Sequence, residues 1–452
     1  MQTESIANIS YDLLIETVRT ASLPLTGETS DYDPLLQRIG DARFVLLGEA
    51  SHGTHEFYHE RAQITKRLIR EKGFTAVAVE GDWPDAYRVN RYVRGRSEDL
   101  DATDALAGFR RFPAWMWRNA DVLDFVGWLR THNDSTGSSL PKVGFYGLDL
   151  YSLHASMEAV IAYLDKVDPE AAERARTRYA CFDLYGDDSL AYGFANAMGL
   201  GRSCENAVVT QLIDLHRSAA EYALRDGRIA EDDYFFAEQN ARLVKSAEEY
   251  YRTMYRGEES SWNFRDRHMA DMLEALVDYL GKRDRDTKVV IWAHNSHLGD
   301  ARATDMSRRG EWNVGQLVRQ RYGQEAFLVG FTTYDGTVTA ASNWGAPAER
   351  KSVRPALPGS YEALFHDVAI ARFLLILRDG NLNAGLREPR LERAIGVIYR
   401  PETERVSHFF HAILPAQFDA VLHFDRTRAV EPLERSSEWE AGEVAETFPS
   451  GI

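Results

Sequence analysis

Six titratable residues follow short apolar runs of the sequence and could carry out acid–base chemistry. They are Glu49, His52, Glu80, Asp149, His294 and His297. A histidine titrates near working pH and can act as a general base on water, and a neighbouring carboxylate can fix its tautomer. His52 meets this description because Glu49 stands three residues before it and Glu80 ends the next run. The sequence therefore predicts hydrolysis with His52 as the general base.

Motifs for a serine or cysteine nucleophile and for nucleotide hydrolysis are missing from the sequence. The string nearest to a Gly-x-Ser-x-Gly elbow, residues 49–53, has Glu49 where that turn needs its first glycine. Neither cysteine stands next to a histidine, and there is no Walker A loop. Water is thus the predicted nucleophile, and nucleotide hydrolysis is disfavoured.

An HExxH string at residues 55–59 offers a second kind of chemistry. On a helix, His55 and His59 would share one face and could bind zinc, with Glu56 as the base. The string begins three residues after His52, so the two interpretations compete for the same turn. A metal-dependent hydrolase that uses this string, or the Glu and His residues at the strand ends, stays open as an alternative.

Aromatic residues are concentrated at positions 109–118. Phe112, Trp115 and Trp117 can form the wall of a pocket for a large apolar or glycosylated ligand, although most aromatic side chains pack in cores. We therefore expect one or two of them to bind substrate, together with Asp149, and the others to lie in the core.

A mostly parallel sheet would place the titratable residues along one edge. The apolar runs are rich in Val, Ile, Leu and Phe without clean alternation, as in strands covered on both faces. Helical patterns lie between them, which favours an α/β fold with ligands bound beyond the carboxyl ends of the strands. The predicted strands are Phe44–Gly48, Thr75–Glu80, Val143–Leu148, Lys288–Ala293, Ala326–Phe331, Ala371–Leu377, Ala394–Tyr399 and Asp419–Phe424.

Residues 154–256 differ from the rest because they contain no convincing strand. Two long amphipathic patterns, Leu212–Leu224 and Asp232–Met254, predict helices. We interpret this stretch as a helical insertion that forms one side of the active-site cleft. It would divide an α/β catalytic domain into residues 1–153 and 257–430, and the glutamate-rich residues 431–452 would form a loose acidic tail.

Composition limits the class of protein. The 452 residues include 53 Lys or Arg and 69 Asp or Glu, and the net charge of −16 argues against nucleic-acid or membrane partners. No apolar run reaches the length of a transmembrane helix, and the N-terminal residues lack the order of a signal peptide. Two cysteines, Cys181 and Cys204, are too few for a disulfide scaffold and suit a reducing cytoplasm. We therefore expect a cytoplasmic protein.

Several strings together resemble the erythromycin esterase family over about residues 30–435. They are LLGEASHGTHEFY, AVEGDWPDAYRVN, FRRFPAWMWRN, WNFRDRHMADML, VVIWAHNSHLGD and AIGVIYRPETERVSHFFHA. The Gly-Glu-x-x-His-Gly and Ala-His-Asn-x-His strings, in this order and at this distance, make the resemblance specific. It implies an enzyme that hydrolyses an ester, in the best-known members the lactone of a macrolide antibiotic. Other members are associated with succinoglycan biosynthesis.

The resemblance also implies roles for individual residues. It marks His52 as the general base that activates water. Arg61 or a protonated histidine could stabilise the oxyanion of the tetrahedral intermediate. No cofactor is expected, although Glu and His are residue types that also bind divalent metals. The other residues that match the family's cleft are Glu49, Glu80, Arg61, His294 and His297.

The expected partner is a small-molecule ester or lactone, and the sequence does not define the oligomeric state. A protein that binds a macrocycle or a saccharide without turning it over is a second alternative. The Glu and His residues at the strand ends argue against it, because binding alone needs no water-activating base. The helical insertion and the aromatic run would set the shape of the pocket, so the family resemblance does not identify the substrate.

Overall fold

The chain folds around a nine-stranded sheet that is covered by helices. The computed structural model describes residues 10–137, 140–219, 221–222, 228–256, 258–282, 286–378 and 383–442. The strands are β1 Leu23–Pro24, β2 Phe44–Leu47, β3 Ala76–Asp82, β4 Gly144–Asp149, β5 Val289–Trp292, β6 Ala326–Ala340, β7 Glu349–Val353, β8 Arg372–Ile376, β9 Arg390–Arg393, β10 Phe409–Ala412 and β11 Ala420–Thr427.

The central strands of this sheet are parallel. The order is β1-β8-β11-β6-β2-β5-β3-β4, and β7 pairs with β6 outside this path. Each of the six strands from β11 to β4 is parallel to its neighbours within that group, while β1, β7 and β8 are antiparallel to theirs. Strands β9 and β10 form a separate antiparallel pair. This architecture confirms the predicted α/β fold with a mostly parallel sheet.

Helices follow most of the parallel strands. The longer ones are Tyr11–Ala21, His55–Lys72, Trp83–Val93, Ala120–Ser135, Leu153–Val167, Pro169–Tyr179, Ser189–Ala197, Glu205–Arg217, Arg228–Thr253, Glu258–Gly281 and Val314–Tyr322. The shorter ones are Asp33–Ile39, Ala102–Leu106, Asn295–Leu298, Tyr361–Asp367, Asn383–Leu386, Glu404–Ser407, Leu414–Gln417 and Ser437–Ala441. None of the helices in the described ranges is long and apolar enough to span a membrane.

Both faces of the sheet are buried, which explains why the strands read as continuous apolar runs. In β2, Phe44 and Leu46 belong to the core on one face, and Val45 and Leu47 belong to the core on the other. All four side chains are fully buried. Successive side chains of a strand point to opposite faces, so a strand between two helical layers has no solvent side that would select polar residues.

One predicted strand is wrong. Residues 394–399 form only isolated bridges, between Ile395 and Ser51 and between Ile398 and Ala341. The Ile395 N–H donates to the Ala50 carbonyl at 2.8 Å. Its buried apolar side chains, Ile395 and Tyr399, pack in a small separate cluster with Val338, Ala340 and Val353. Periodicity alone does not distinguish such burial from burial within the sheet.

Every regular element between residues 153 and 256, as far as that stretch is described, is a helix. The predicted Asp232–Met254 helix corresponds to Arg228–Thr253, which ends one residue earlier. The predicted Leu212–Leu224 helix overlaps Glu205–Arg217, with residues 220 and 223–227 outside the described part. Cys181 and Cys204 form a disulfide bond here. This bond contradicts the reduced state expected from composition, because the fold brings together two residues that lie 23 positions apart.

The predicted acidic tail packs against the body of the protein up to residue 442. Trp439 is buried, and its indole N–H donates to the Thr339 hydroxyl at 2.8 Å. Arg118 forms an ion pair with Glu434. The high glutamate content of this segment therefore masked Trp439, which packs against the rest of the protein. Residues 443–452 lie outside the described ranges.

Candidate active site

Three parallel strands deliver the predicted residues to one cavity. β2 leads into the loop that carries Glu49 and His52, β3 carries Glu80, and β5 leads into His294. The three strands are neighbours in the sheet, in the order β2-β5-β3. Their carboxyl ends open into a cavity of about 320 Å³. The rings of His52 and His294 face each other there with centroids 4.9 Å apart.

His52 is held from behind by a buried carboxylate. Its Nδ1 lies 2.9 Å from Glu49 Oε1, and the other oxygen of Glu49 accepts a hydrogen bond from Arg61 Nη2 at 2.8 Å. A carboxylate only accepts, so the proton of the neutral His52 ring resides on Nδ1. Nε2 then carries a lone pair, and it forms no hydrogen bond within the described chain.

Arg61 lies behind this pair and does not line the cavity. It is fully buried on the His55–Lys72 helix, with its guanidinium carbon 4.4 Å from the Tyr58 ring centroid and 5.2 Å from that of Trp292. Its contact with Glu49 is the only ion pair it forms within the described ranges. The arginine implied by the resemblance thus positions Glu49 and is not placed to contact a substrate.

A different arginine, Arg265, enters the cavity. Its guanidinium forms a bidentate pair with Asp149, at 2.9 and 2.7 Å, and also donates to Glu80 Oε1 at 2.7 Å. The other oxygen of Glu80 accepts the backbone N–H of His294 at 2.9 Å. Burial by itself would raise the pKa of Glu80, but His297 and Arg265 reverse this effect and hold it well below its ordinary value. Glu80 is therefore ionised at neutral pH and fixes the position of His294.

His297 lines the cavity beside Arg265 and Glu80, with its Nε2 3.4 Å from Glu80 Oε1. Its Nδ1 is 2.9 Å from both oxygens of Asp266, and Arg265 Nη1 donates to its Nε2 at 3.2 Å. Its ring stacks on Trp262 with centroids 4.5 Å apart. Burial lowers the pKa of His297, but Asp266 and Glu80 outweigh burial and raise it overall. Both ring nitrogens of His297 have partners, so this residue helps to hold Arg265 in place.

His294 lines the cavity, and its hydrogen bonds define its tautomer. The backbone N–H of Ser296 donates to its Nδ1 at 3.2 Å, and a backbone amide can only donate, so the ring proton resides on Nε2. Burial, followed by the nearby His52, holds the pKa of His294 well below its ordinary value. Its buried Nε2 has no hydrogen-bond partner in the described structure. The Ala50 backbone carbonyl raises the pKa of His294, because it favours the protonated ring. It would compete with a substrate oxygen for this N–H.

Part of the predicted aromatic run forms a wall of the cavity. Phe112 and Trp117 line it, and Trp344 packs edge-on against Phe112 with ring centroids 5.0 Å apart. Trp117 also donates its indole N–H to the Glu80 backbone carbonyl at 3.2 Å. Trp115 is buried and is not among the residues that line the cavity. Asp149 lines the cavity, but its carboxylate is engaged by Arg265.

A second depression of about 710 Å³ adjoins the cavity. The two share Asp82, Asp85, Arg111, Phe112, Tyr151 and Trp344. The depression continues over the helical stretch, where Leu190, Tyr250, Tyr251 and Met254 line it. The helical stretch therefore lines one side of this combined space, which is larger than the first cavity alone.

The HExxH string lies outside this cavity. His55 begins the helix after the catalytic loop, and its Nδ1 is 2.9 Å from Asp121 Oδ2. Glu56 accepts hydrogen bonds from the backbone N–H and the side chain of Arg428, at 2.7 and 3.0 Å. The two histidines and Glu56 line a separate depression.

Sequence reasoning missed Trp262, Arg265 and Asp266. They lie on the Glu258–Gly281 helix, within the WNFRDRHMADML string of the resemblance, from which no site residue was predicted. An adjacent arginine and aspartate next to a tryptophan in that segment was the available signal. The strand-end rule could not find them, because they lie on a helix beside the sheet, from which Trp262 and Arg265 reach the cavity and Asp266 contacts His297.

Comparison with known proteins places this geometry in context. The model of the erythromycin esterase family matches residues 69–427. Erythromycin esterase type II of Escherichia coli is 22% identical over 391 residues, which cover 83% of this chain and 90% of that protein. The crystal structure of a succinoglycan biosynthesis protein superposes with a TM-score of 0.73 at 21% identity, over 93% of this chain and 98% of that one.

The fold is also shared with an esterase of known structure. A mutant of EreC, an erythromycin esterase in its open conformation, superposes with a TM-score of 0.64 at 17% identity. The match covers 88% of this chain and 94% of that chain. At these identities the solved structures show a common fold, and the family model covers most of the chain.

Proposed function

The chain belongs to the erythromycin esterase family, and we propose that it hydrolyses an ester of a small molecule with water activated by His52. The observation that carries this proposal is the pair of facing histidines in opposite tautomers. His52 offers a lone pair at Nε2, and His294 offers an N–H at Nε2. A base and a hydrogen-bond donor on either side of one space are what addition of water to a carbonyl requires.

In the proposed reaction, His52 Nε2 removes a proton from water as the water oxygen attacks the ester carbonyl carbon. Glu49 stabilises the resulting imidazolium through its contact with Nδ1. The tetrahedral intermediate then collapses, the bond to the alkoxy oxygen breaks, and the imidazolium returns its proton to that oxygen. The products are a carboxylic acid and an alcohol, and His52 is regenerated.

His294 supplies the proposed oxyanion donor. Because its pKa is held low, the ring stays neutral and Nε2–H can donate to the carbonyl oxygen as negative charge develops. Removal of such a donor commonly lowers turnover about 10²- to 10³-fold. Glu80 and the Asn295–Leu298 turn fix the backbone on both sides of this histidine.

The size of the cleft favours a bulky ester. The catalytic cavity and the adjoining depression together exceed the space needed for a simple aryl ester, and both have aromatic walls. A lactone or a glycosylated ester would extend from the histidines toward Tyr250 and Tyr251. A macrolide is a bulky lactone of this kind. The similar Escherichia coli protein, an erythromycin esterase, makes it a candidate substrate.

Mass spectrometry of a compound panel tests the proposal. Macrolides of several ring sizes, other lactones and simple aryl esters would each be incubated with enzyme, with and without chelator. We expect a gain of one water on at least one bulky ester, unaffected by chelator. Loss of turnover with chelator would contradict the metal-free mechanism. Binding of a macrocycle that is recovered intact would instead support a binding protein.

A further inference from the structure

Two histidines and an aspartate come together on the surface next to the catalytic loop. His55 and His59 are one helical turn apart on the His55–Lys72 helix, and Asp121 lies in the first turn of the Ala120–Ser135 helix. One possible ligand atom from each of them lies within 4.8 Å of the other two. We propose that these three residues form a Zn²⁺ site that is separate from the active-site cavity.

The ligand types suit zinc. Imidazole nitrogen and carboxylate oxygen bind this ion at about 2.0–2.2 Å, which in a tetrahedron separates ligand atoms by roughly 3.4 Å. His55 Nδ1 and Asp121 Oδ2 are already 2.9 Å apart. The His59 side chain is exposed, so its ring can rotate to complete the set. Water would occupy the remaining position.

Asp121 is well placed as the anchoring ligand. Its side chain is only 10% exposed, and within the described residues its carboxylate forms no ion pair with a lysine or arginine. The negative charge is therefore not neutralised by a permanent cation. The ring centroids of His55 and His59 are 5.7 Å apart, as expected for neighbouring turns of one helix face.

The arrangement does not resemble a zinc peptidase centre, despite the HExxH string. Glu56, the residue that would act as base, is paired with Arg428. The proposed ion instead links two helices, and it does so three residues after His52. Zinc binding would stabilise the start of the His55–Lys72 helix without entering the ester reaction.

Calorimetric titration with ZnCl₂ tests this proposal on full-length protein purified without a histidine tag. We expect one Zn²⁺ per chain, at least about tenfold weaker binding in His59→Ala and in Asp121→Asn, and a rise in Tm with zinc that both variants lose. His411→Ala is the matched control, because His411 also pairs with an aspartate, Asp305, at 3.0 Å. That variant should bind zinc like the wild type.

Two outcomes would overturn the site. One is that no zinc binds at concentrations up to 100 µM (about −5.5 kcal/mol). The other is that binding persists in His59→Ala and is lost in His294→Ala, which would place the ion in the active-site cavity. Neither readout needs an ester substrate, so failure of this proposal is distinguishable from failure of the proposed hydrolysis. We also expect His59→Ala to retain any ester hydrolysis of the wild type.

Discussion

The chemistry of the cavity depends on which ring nitrogen carries each proton. Glu49 selects the Nδ1–H tautomer of His52, and the Ser296 backbone selects the Nε2–H tautomer of His294. The two rings therefore differ in tautomer although both are buried histidines with centroids 4.9 Å apart. Arg61 acts one step further back, because it holds Glu49 in place.

Replacement of His294 tests its role as oxyanion donor. We expect His294→Ala to lower kcat by about 10²- to 10³-fold with a small change in KM, because the donor acts mainly in the transition state. His294→Gln keeps a side-chain N–H and should recover part of the loss. Steady-state kinetics on a confirmed substrate would measure both, and an unchanged kcat in His294→Ala would remove this residue from the mechanism.

A buried histidine outside the cavity predicts how stability depends on pH. Burial lowers the pKa of His268 to about 4, and its Nε2 has no hydrogen-bond partner within the described chain. Between pH 6.5 and pH 4, His268 binds a proton in the unfolded chain but stays neutral in the folded protein. The free energy of unfolding therefore falls as pH decreases from about 6.5, the ordinary pKa of histidine, to 4.

His268→Gln should weaken this dependence. Between pH 7.5 and pH 5, the free energy of unfolding should fall by about 2 kcal/mol less in the variant than in the wild type. Urea denaturation at both pH values provides the measurement. Equal losses in the two proteins would show that other groups, such as His294, account for the acid sensitivity.

Among single residues, the sequence could identify those that directly follow strands. Glu49, His52, Glu80 and His294 were predicted because a parallel sheet aligns the ends of its strands. Arg265 was not, since it reaches the cavity from a helix whose packing angle no local pattern specifies. Their catalytic roles stay predictions.

At the scale of elements, the close approach of two loops holds the histidines together. A Cβ atom added to Gly48 would lie 2.1 Å from Asn295 Oδ1. Asn295 in turn donates to the Phe331 carbonyl at 2.7 Å and directly follows His294. The absence of a side chain at residue 48 therefore allows the β2 loop and the β5 loop to pack against each other.

Gly48→Ala should damage both stability and activity. Forcing a methyl group into this contact should cost about 1–3 kcal/mol of folding free energy and lower kcat, because Asn295 must move and His294 with it. Gly127→Ala is a suitable control, since a Cβ there meets no atom within 4 Å. Thermal denaturation and kinetics measure both effects, and a Gly48→Ala enzyme with normal Tm and kcat would contradict this packing argument.

The strands were easier to predict than the loops that connect them. Runs such as Val289–Trp292 are buried on both faces, so their composition alone marks them. The run at residues 394–399 is equally apolar but forms only isolated bridges, and its Gly396 and Val397 line the cavity. An apolar composition indicates that a run is buried, but a buried loop and a buried strand can have the same composition.

At the scale of the whole molecule, the α/β body carries the facing histidines and the helical stretch lines the adjoining depression. Phe112 lies between the two, because it lines both the catalytic cavity and the adjoining depression. Phe112 contacts Trp344, and the Trp344 side chain is 57% exposed, so a ligand can contact it directly. We therefore propose that substrate size is selected where the two parts meet.

Phe112→Ala should discriminate between large and small esters. Loss of one aromatic contact of about 0.5–1.5 kcal/mol should raise KM roughly two- to tenfold for a bulky ester, with kcat little changed. A simple aryl ester, which does not reach the depression, should be hydrolysed with normal KM. The same change in KM for both compounds would contradict a shared binding surface at Phe112.

The central claim is that His52 activates water, and its most direct test is the turnover of His52→Ala on a confirmed ester substrate. Substrate affinity should be measured on the same variant. The His52 imidazole is small compared with the cleft, so its removal should leave substrate binding unchanged. The account predicts a loss in kcat of about 10²- to 10⁴-fold, the usual contribution of a general base, with binding retained. Turnover near that of the wild type in His52→Ala would contradict it.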